Sequence, residues 1–242
     1  MNALHPNAPS PNAWIRTGLF ALPLYAVVTA YATLRAQPDQ VSDPASWARF
    51  VSSTSYLVEH VLGSLVGTVA VIFGTFALGA YLARSRVRRL ALWGMTLAIA
   101  GHVLFTVPGV VSTFATPAIG RAYLAGNEAV MTVDLSAAVP AFALALLLGL
   151  AGNLLLGAAA WRSGRLPGWT GLLWMAGTVV FYLLGTVLGL ATTGASLPTQ
   201  PIGAALLLVA GAGMAWAARR TDPATAVEPA PTPAGVTQRS QI

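Results

Sequence analysis

The sequence predicts an all-α, polytopic integral membrane protein with six transmembrane helices, and three observations lead there. Hydrophobic residues fill 56% of the 242 positions and charged residues only 8%, against about 25% charged in soluble domains. The apolar residues gather into runs of about 20, the length that crosses a hydrocarbon core. The basic residues, all Arg, stand at the ends of those runs, which is a topology signal. The formal charge of +6 is therefore not a nucleic-acid footprint, and no nucleic-acid partner is expected. The lipid bilayer is the expected surrounding. Without Cys there are no disulfides, thiolate metal sites or Cys nucleophiles. Without Lys there is no Schiff-base chemistry. An all-arginine complement suggests a GC-rich bacterial genome, so a bacterial cytoplasmic membrane is the expected location.

The organising stretch runs from Tyr56 to Thr113. Two apolar runs flank Arg84-Ser85-Arg86-Val87-Arg88-Arg89, a cluster that cannot sit in hydrocarbon, so the pair forms a hairpin. Loops rich in arginine stay cytoplasmic, and this turn orients every other span, with both termini inside. Residues 1–13, with three prolines, read as a disordered tail, and His5 within it is incidental. The first span is about 14–34, kinked by Pro23. A cleaved leader is the alternative, because Ala30-Tyr31-Ala32 follows the apolar segment, but an almost uncharged start and an internal proline favour a retained anchor.

Ala36 to Ser55 is a polar external loop, with a short surface helix starting at Asp43-Pro44, a capping residue followed by a proline suited to the first helical position. The second span, about 56–83, carries Gly63, Gly67, Ala70, Gly74 and Ala77 as one small-residue strip, the face that allows close approach of a neighbouring helix. The third, about 90–111, has Gly94, Ala98, Gly101 and His102 on a similar face, with a bend expected at Pro108-Gly109. Thr116-Pro117 to Leu124, closed by Gly126-Asn127, predicts a separate short helix on the surface or dipping into the membrane.

The fourth span is about 137–160, with Gly149, Asn153 and Gly157 on one strip. The fifth is about 169–190 and the sixth about 201–218, before Arg219-Arg220. Residues 221–242, rich in Pro, Ala and Thr, read as a disordered cytoplasmic tail. Gly74, Leu78-Gly79-Ala80 and Arg84-Ser85 recur 78 positions later as Gly152, Leu156-Gly157-Ala158 and Arg162-Ser163. Two readings account for this: a parallel repeat of helical hairpins, or the common marks of any cytoplasmic helix end.

The candidate site lies on the outer side: Glu59 and His60 near the start of span two, His102 deeper on span three, and Arg121, Glu128 and Asp134 on the long connection. An ionisable group inside a membrane costs about 2.5–3.5 kcal/mol even on lenient scales, so His102, the deepest, is the strongest candidate. It is either a neutral imidazole bonded to a backbone carbonyl or Thr106 of its own helix, or the inner end of a polar path from Glu59 and His60. For Glu59 and His60 the plainer reading is an interfacial pair at the helix end. A haem shared by His60 and His102 conflicts with their different depths along the membrane normal. A zinc site from His60, His102, Glu59 and Asp134 has suitable donors without i, i+3 or i, i+4 spacing. Neither cofactor is expected, and no nucleophile-elbow, phosphate-loop or dinucleotide motif occurs.

The leading expectation is a small transporter, permease component or membrane sensor without catalytic chemistry, taking a small molecule or ion in an outward polar pocket. The alternatives are a membrane-embedded redox or metal-dependent enzyme using His102, and a structural subunit acting as a homo-oligomer or with a membrane protein partner.

Overall fold

The computed structural model describes residues 11–132, 138–193 and 196–220. The two segments expected as tails lie outside them, apart from the stretch 11–13, as does Asp134. Six helices are long and apolar enough to cross a membrane: α1 (Asn12–Ala32), α3 (Thr54–Leu82), α4 (Arg88–Leu124), α5 (Val139–Arg162), α6 (Gly168–Thr192) and α7 (Thr199–Arg220). A short helix, α2 (Pro44–Val51), lies between the first two. There is no strand among the described residues, and the protein is an all-α, multi-pass membrane protein.

The six long helices close into a ring, each packed on its neighbours in the order α1, α3, α4, α5, α6, α7 and back to α1. A glycine sits at every one of these contacts. A Cβ added to Gly74 would overlap Leu22 between α3 and α1, one on Gly79 would overlap Met95 between α3 and α4, and one on Gly152 would overlap the Ala98 backbone between α4 and α5. Gly171 meets Trp161 and Gly157 between α5 and α6, Gly203 meets Phe181 between α6 and α7, and Gly211 meets Leu22 between α7 and α1. Because lipid is as apolar as any Leu, helices gain nothing from apolarity alone and associate by close backbone packing, which small residues permit.

Two local departures follow from proline and from extra residues per turn. Helix α1 breaks at Leu19 and Phe20, which form turn bonds to Arg16 and Thr17. Pro23 lies four residues beyond Leu19, and its ring excludes the ordinary bond to that carbonyl. The third span does not end at Val111. It continues through Pro108 and a π-helical turn at Val111–Ala115 into Thr116–Leu124, so the segment expected as a separate helix is its extension. Thr116 has helical backbone angles around it and its hydroxyl bonds back to Val111 O. Pro117 was legible as a helix start only because the first turn and a π junction tolerate the same missing N–H. The end at Gly126 is as expected: φ is +92°, with Gly126 N bonded to Tyr123 O and Asn127 N to Ala122 O, the paired closure that a left-handed glycine allows.

At 37 residues, α4 is about 55 Å long, well beyond a core of about 30 Å. Its last turns pack on α2, with Gly120 pressed to Ala48, Val51 and Ser52. Trp47, Ala48, Val51 and Tyr56 form a separate small core with Ile119, Tyr123 and Met131. Asp43 starts α2 as expected, accepting Ser46 N at 3.0 Å. Together these elements make a cap over one end of the ring.

The opposite end gathers the arginines. Arg86 Nε donates to Arg162 O at 3.0 Å, Arg165 Nη1 donates to Tyr81 O at 3.3 Å, and Arg219 covers the Phe20 ring. The positions related by 78 make matching bonds: Ser85 Oγ donates to Leu82 O and accepts Val87 N, while Ser163 Oγ donates to Ala160 O and accepts Arg165 N.

Candidate functional site

Toward the cap the ring opens into a cavity of about 500 Å³, within the range of small-molecule sites. All six ring helices line it, through residues that include Tyr25, Glu59, His60, His102, Phe142, Tyr182, Thr186 and Gln200. Three π-helical segments contribute to this wall: Val61–Val66 in α3, Val111–Ala115 in α4 and Val179–Val187 in α6. Such turns place an extra residue per turn and occur most often at functional sites. Threonine side chains answer the widened spacing, with Thr186 Oγ1 donating to Phe181 O five residues back at 3.2 Å. Gln200 Nε2 then donates to Thr186 Oγ1 at 2.9 Å.

At the mouth, Arg35 grips Glu59 in two bonds, Nε to Oε1 at 2.6 Å and Nη2 to Oε2 at 2.9 Å. The guanidinium also covers the Phe50 ring, 5.0 Å from its centroid. The Glu59 side chain is 8% exposed and that of Arg35 42%, so the carboxylate is withdrawn from water while its partner spans the boundary. This fork matches the planar guanidinium to the carboxylate and cancels the formal charges of Arg35 and Glu59, the only Arg and carboxylate among the described lining residues. Glu59 stands in the second turn of α3, whose start is capped by Ser53 accepting Tyr56 N. It is a paired wall residue, not the end of the helix.

His60 stacks on Tyr56 with centroids 3.8 Å apart, and its Nδ1 lies 3.0 Å from Tyr56 O. A carbonyl only accepts, so Nδ1 carries the proton and Nε2 is left as an acceptor. Tyr56 in turn donates its hydroxyl to Ser112 O at 3.1 Å, which ties α3 to the π-helical turn of α4.

Behind His102, which lines the cavity, a buried polar chain runs through three helices. Trp174 Nε1 donates to Asn153 Oδ1 at 3.2 Å. An indole nitrogen only donates, so the other end of the Asn153 amide is the NH2, which reaches Gly149 O at 2.8 Å and His102 Nε2 at 3.4 Å. His102 Nε2 is thereby an acceptor, and a neutral ring holds its proton on Nδ1. Its edge meets Tyr25, with centroids 6.2 Å apart and a 67° interplanar angle. The Tyr25 and Tyr182 hydroxyls lie beside each other. Thr106 does not receive a proton from the imidazole: its hydroxyl donates to the His102 carbonyl at 3.1 Å, and the ring reaches across to α5 instead.

Of the residues singled out in the sequence, Glu59, His60 and His102 come together on one wall. Arg121 is exposed on the capping end of α4 and does not line the cavity, and Asp134 lies outside the described residues. Among the described residues no three of His, Asp and Glu gather to hold a metal ion. The site residues not anticipated are Arg35, Tyr25, Tyr182, Trp174 and Gln200. Asn153 was visible as a polar residue on a buried strip, but its partners His102 and Trp174 stand on the helices before and after its own, 51 and 21 residues away in the chain. The described lining offers hydrogen-bond donors and acceptors beside aromatic faces, with the Arg35–Glu59 ion pair already satisfied. No family model, curated protein or solved structure matches the chain.

Proposed function

We propose that the protein binds a small, uncharged, ring-containing molecule in this cavity and acts as a transporter, permease component or membrane sensor. The arginine face is cytoplasmic in this reading, since arginine-rich turns are retained on that side, and the cavity opens outward in a bacterial cytoplasmic membrane. The observation that carries the reading is a cavity of about 500 Å³ reached by all six helices. A purely structural bundle has no reason to keep such a space. Uncharged ligands are favoured because Arg35 and Glu59 neutralise each other, and an added charge would be desolvated without a partner. Phe142, Phe181 and Tyr182 supply faces for a ring, and His102 Nδ1 and His60 Nε2 supply one donor and one acceptor.

The test is thermal unfolding of the detergent-purified protein with nicotinamide, indole, benzoate and benzylamine, whose rings are alike and whose charges differ. Saturable stabilisation by a neutral compound, lost in Tyr182→Ala and Asn153→Leu proteins that still fold, is the expected result. Ligand at a hundred times its Kd adds about 2.7 kcal/mol, a readily measured shift. Stabilisation by the charged compounds alone would refute the reading. Flux of the stabilising compound into proteoliposomes then separates a transporter from a sensor.

A further inference from the structure

The hydrogen-bond chain behind His102 gives the cavity a fixed polarity. Trp174 Nε1 can only donate, so Asn153 Oδ1 accepts it at 3.2 Å and the amide NH2 is turned toward His102 Nε2 at 3.4 Å. A hydrogen on Nε2 would set donor against donor, so the neutral imidazole carries its hydrogen on Nδ1. That N–H has no bonding partner among the described residues. The ring is 5% exposed and lines the cavity, whereas neither Asn153 nor Trp174 does. We infer that Trp174 and Asn153 are positioning residues that make His102 a hydrogen-bond donor toward the cavity, and that the site takes a ligand with a carbonyl oxygen on or beside its ring. This rests on the binding of a neutral ring proposed above.

Two tyrosines complete the recognition. Tyr25 and Tyr182 are each 7% exposed and line the same cavity, with their hydroxyls beside each other. Tyr25 meets the His102 ring at 6.2 Å between centroids. Tyr182 belongs to the π-helical segment of α6, and its hydroxyl stands over Gly149, where an added Cβ would meet it at 3.7 Å. Gly149 lies one turn from Asn153, so donors from α4, α1 and α6 gather at one level of the ring. Two hydroxyls bonded to each other use one hydrogen and keep a second. A carbonyl oxygen has two lone pairs and no hydrogen, so it can accept the imidazole N–H and a tyrosine O–H together. A ligand N–H in the same place would confront the imidazole N–H and leave two buried donors unpaired, which costs more than a bond returns.

The experiment titrates the full chain in a neutral detergent with acetophenone, with α-methylstyrene, which has CH2 in place of the oxygen, and with indole, whose only polar group is an N–H. Affinities come from saturable thermal stabilisation, and their ratio is compared between wild type and variants, where partitioning into micelles cancels. Nitrogen NMR of the 15N-histidine protein reads which ring nitrogen of His102 bears the hydrogen, its signal identified by its loss in His102→Gln. The expected result is a hydrogen on Nδ1 and acetophenone bound at least about tenfold more tightly than α-methylstyrene. In Trp174→Phe and Asn153→Leu, His102 should become a mixture of tautomers and the acetophenone preference should shrink toward unity, while α-methylstyrene still binds. A hydrogen on Nε2 in wild type, or a preference unchanged in both variants, would remove the positioning role. Equal affinities, or a preference for indole, would overturn carbonyl recognition and leave the ring-binding reading in place. If no neutral ring compound binds, that reading falls and this inference with it. Should one variant fail to fold, the other decides, and the wild-type tautomer is an independent measure.

Discussion

Near the arginines the ring of helices is closed, and near the cap it holds a cavity, although glycine lines the helix contacts of both halves. In the closed half the helices other than α1, which breaks at Leu19 and Phe20, keep regular α-helical bonding and meet backbone to backbone, as Gly152 does with Ala98, over a core of Leu78, Leu82, Leu156, Ala159 and Met214. In the open half α3, α4 and α6 each contain a π-helical segment. One extra residue per turn rotates the following side chains, so close approach there is interrupted: Gly63 still meets Ala32 and Gly203 the Phe181 backbone, with the cavity beside them. Aromatic pairs stand along it, Phe105 with Phe142 at 5.7 Å and Phe181 with Tyr182 at 5.2 Å. Small residues permit close contact in both halves, and the π-helical segments decide where that contact gives way to space.

The sharpest way to break this contrast is to place bulk in each half. Gly152→Leu should destabilise by about 3 kcal/mol, because the atoms in its way are backbone and overpacking of this kind is the costly kind. Gly149→Ala should cost less than about 1 kcal/mol, since its Cβ meets only Tyr182 at an ordinary 3.6 Å. Unfolding in detergent reads both; equal losses would mean that the two halves are not packed differently.

The ion pair at the mouth gives the next effect. Arg35→Met leaves the Glu59 carboxylate buried without its partner and should cost about 2 kcal/mol, below the usual range for a fully buried pair because Arg35 is 42% exposed. Glu59→Gln leaves a half-exposed cation and should cost about 1 kcal/mol. Changing both residues together should recover part of the larger loss, and a double-mutant cycle with strictly additive costs would show that the pair is not coupled.

At the arginine end, Ser85→Ala and Ser163→Ala each remove one donated and one accepted bond of the same geometry. Each should cost about 1 kcal/mol, and the two losses should agree closely. Unequal losses would argue that the matching turns are alike only in outline.

The smallest effect belongs to the cap. The backbone N–H and hydroxyl of Ser46 hold the Asp43 carboxyl below its usual range, and Ser42 does the same for Asp39. A depressed folded value means that the stabilisation is present above the ordinary carboxyl pKa and is lost as pH falls below about 4. Hydrogen exchange across Pro44–Val51 should therefore quicken in acid before that of the ring helices. Asp43→Asn keeps a capping oxygen and removes most of the pH response; an unchanged response would exclude Asp43 as its source.

What could be read from the chain was what depends on neighbours in sequence. The six long helices, the Asp43 cap and the Gly126 termination follow from run length, from a side chain placed three residues before an unpaired N–H, and from a left-handed closure. Glu59, His60 and His102 were legible as candidates because charged or titratable groups are rare in apolar runs. The continuation of α4 beyond Val111 was not legible, because a proline that starts a helix and one that follows a π junction look alike locally.

The sequence by itself determined how many helices the protein has, which residues are too polar to face lipid, and where its small-residue faces lie. Tertiary structure alone decided that α1 and α7 close the ring, that Arg35 pairs with Glu59, and that His102 reaches Asn153, itself held by Trp174, rather than its own helix. Those choices depend on the rotation and order of helices around an axis. That order is set by which faces can approach most closely once all six are present, and no single stretch of chain contains it.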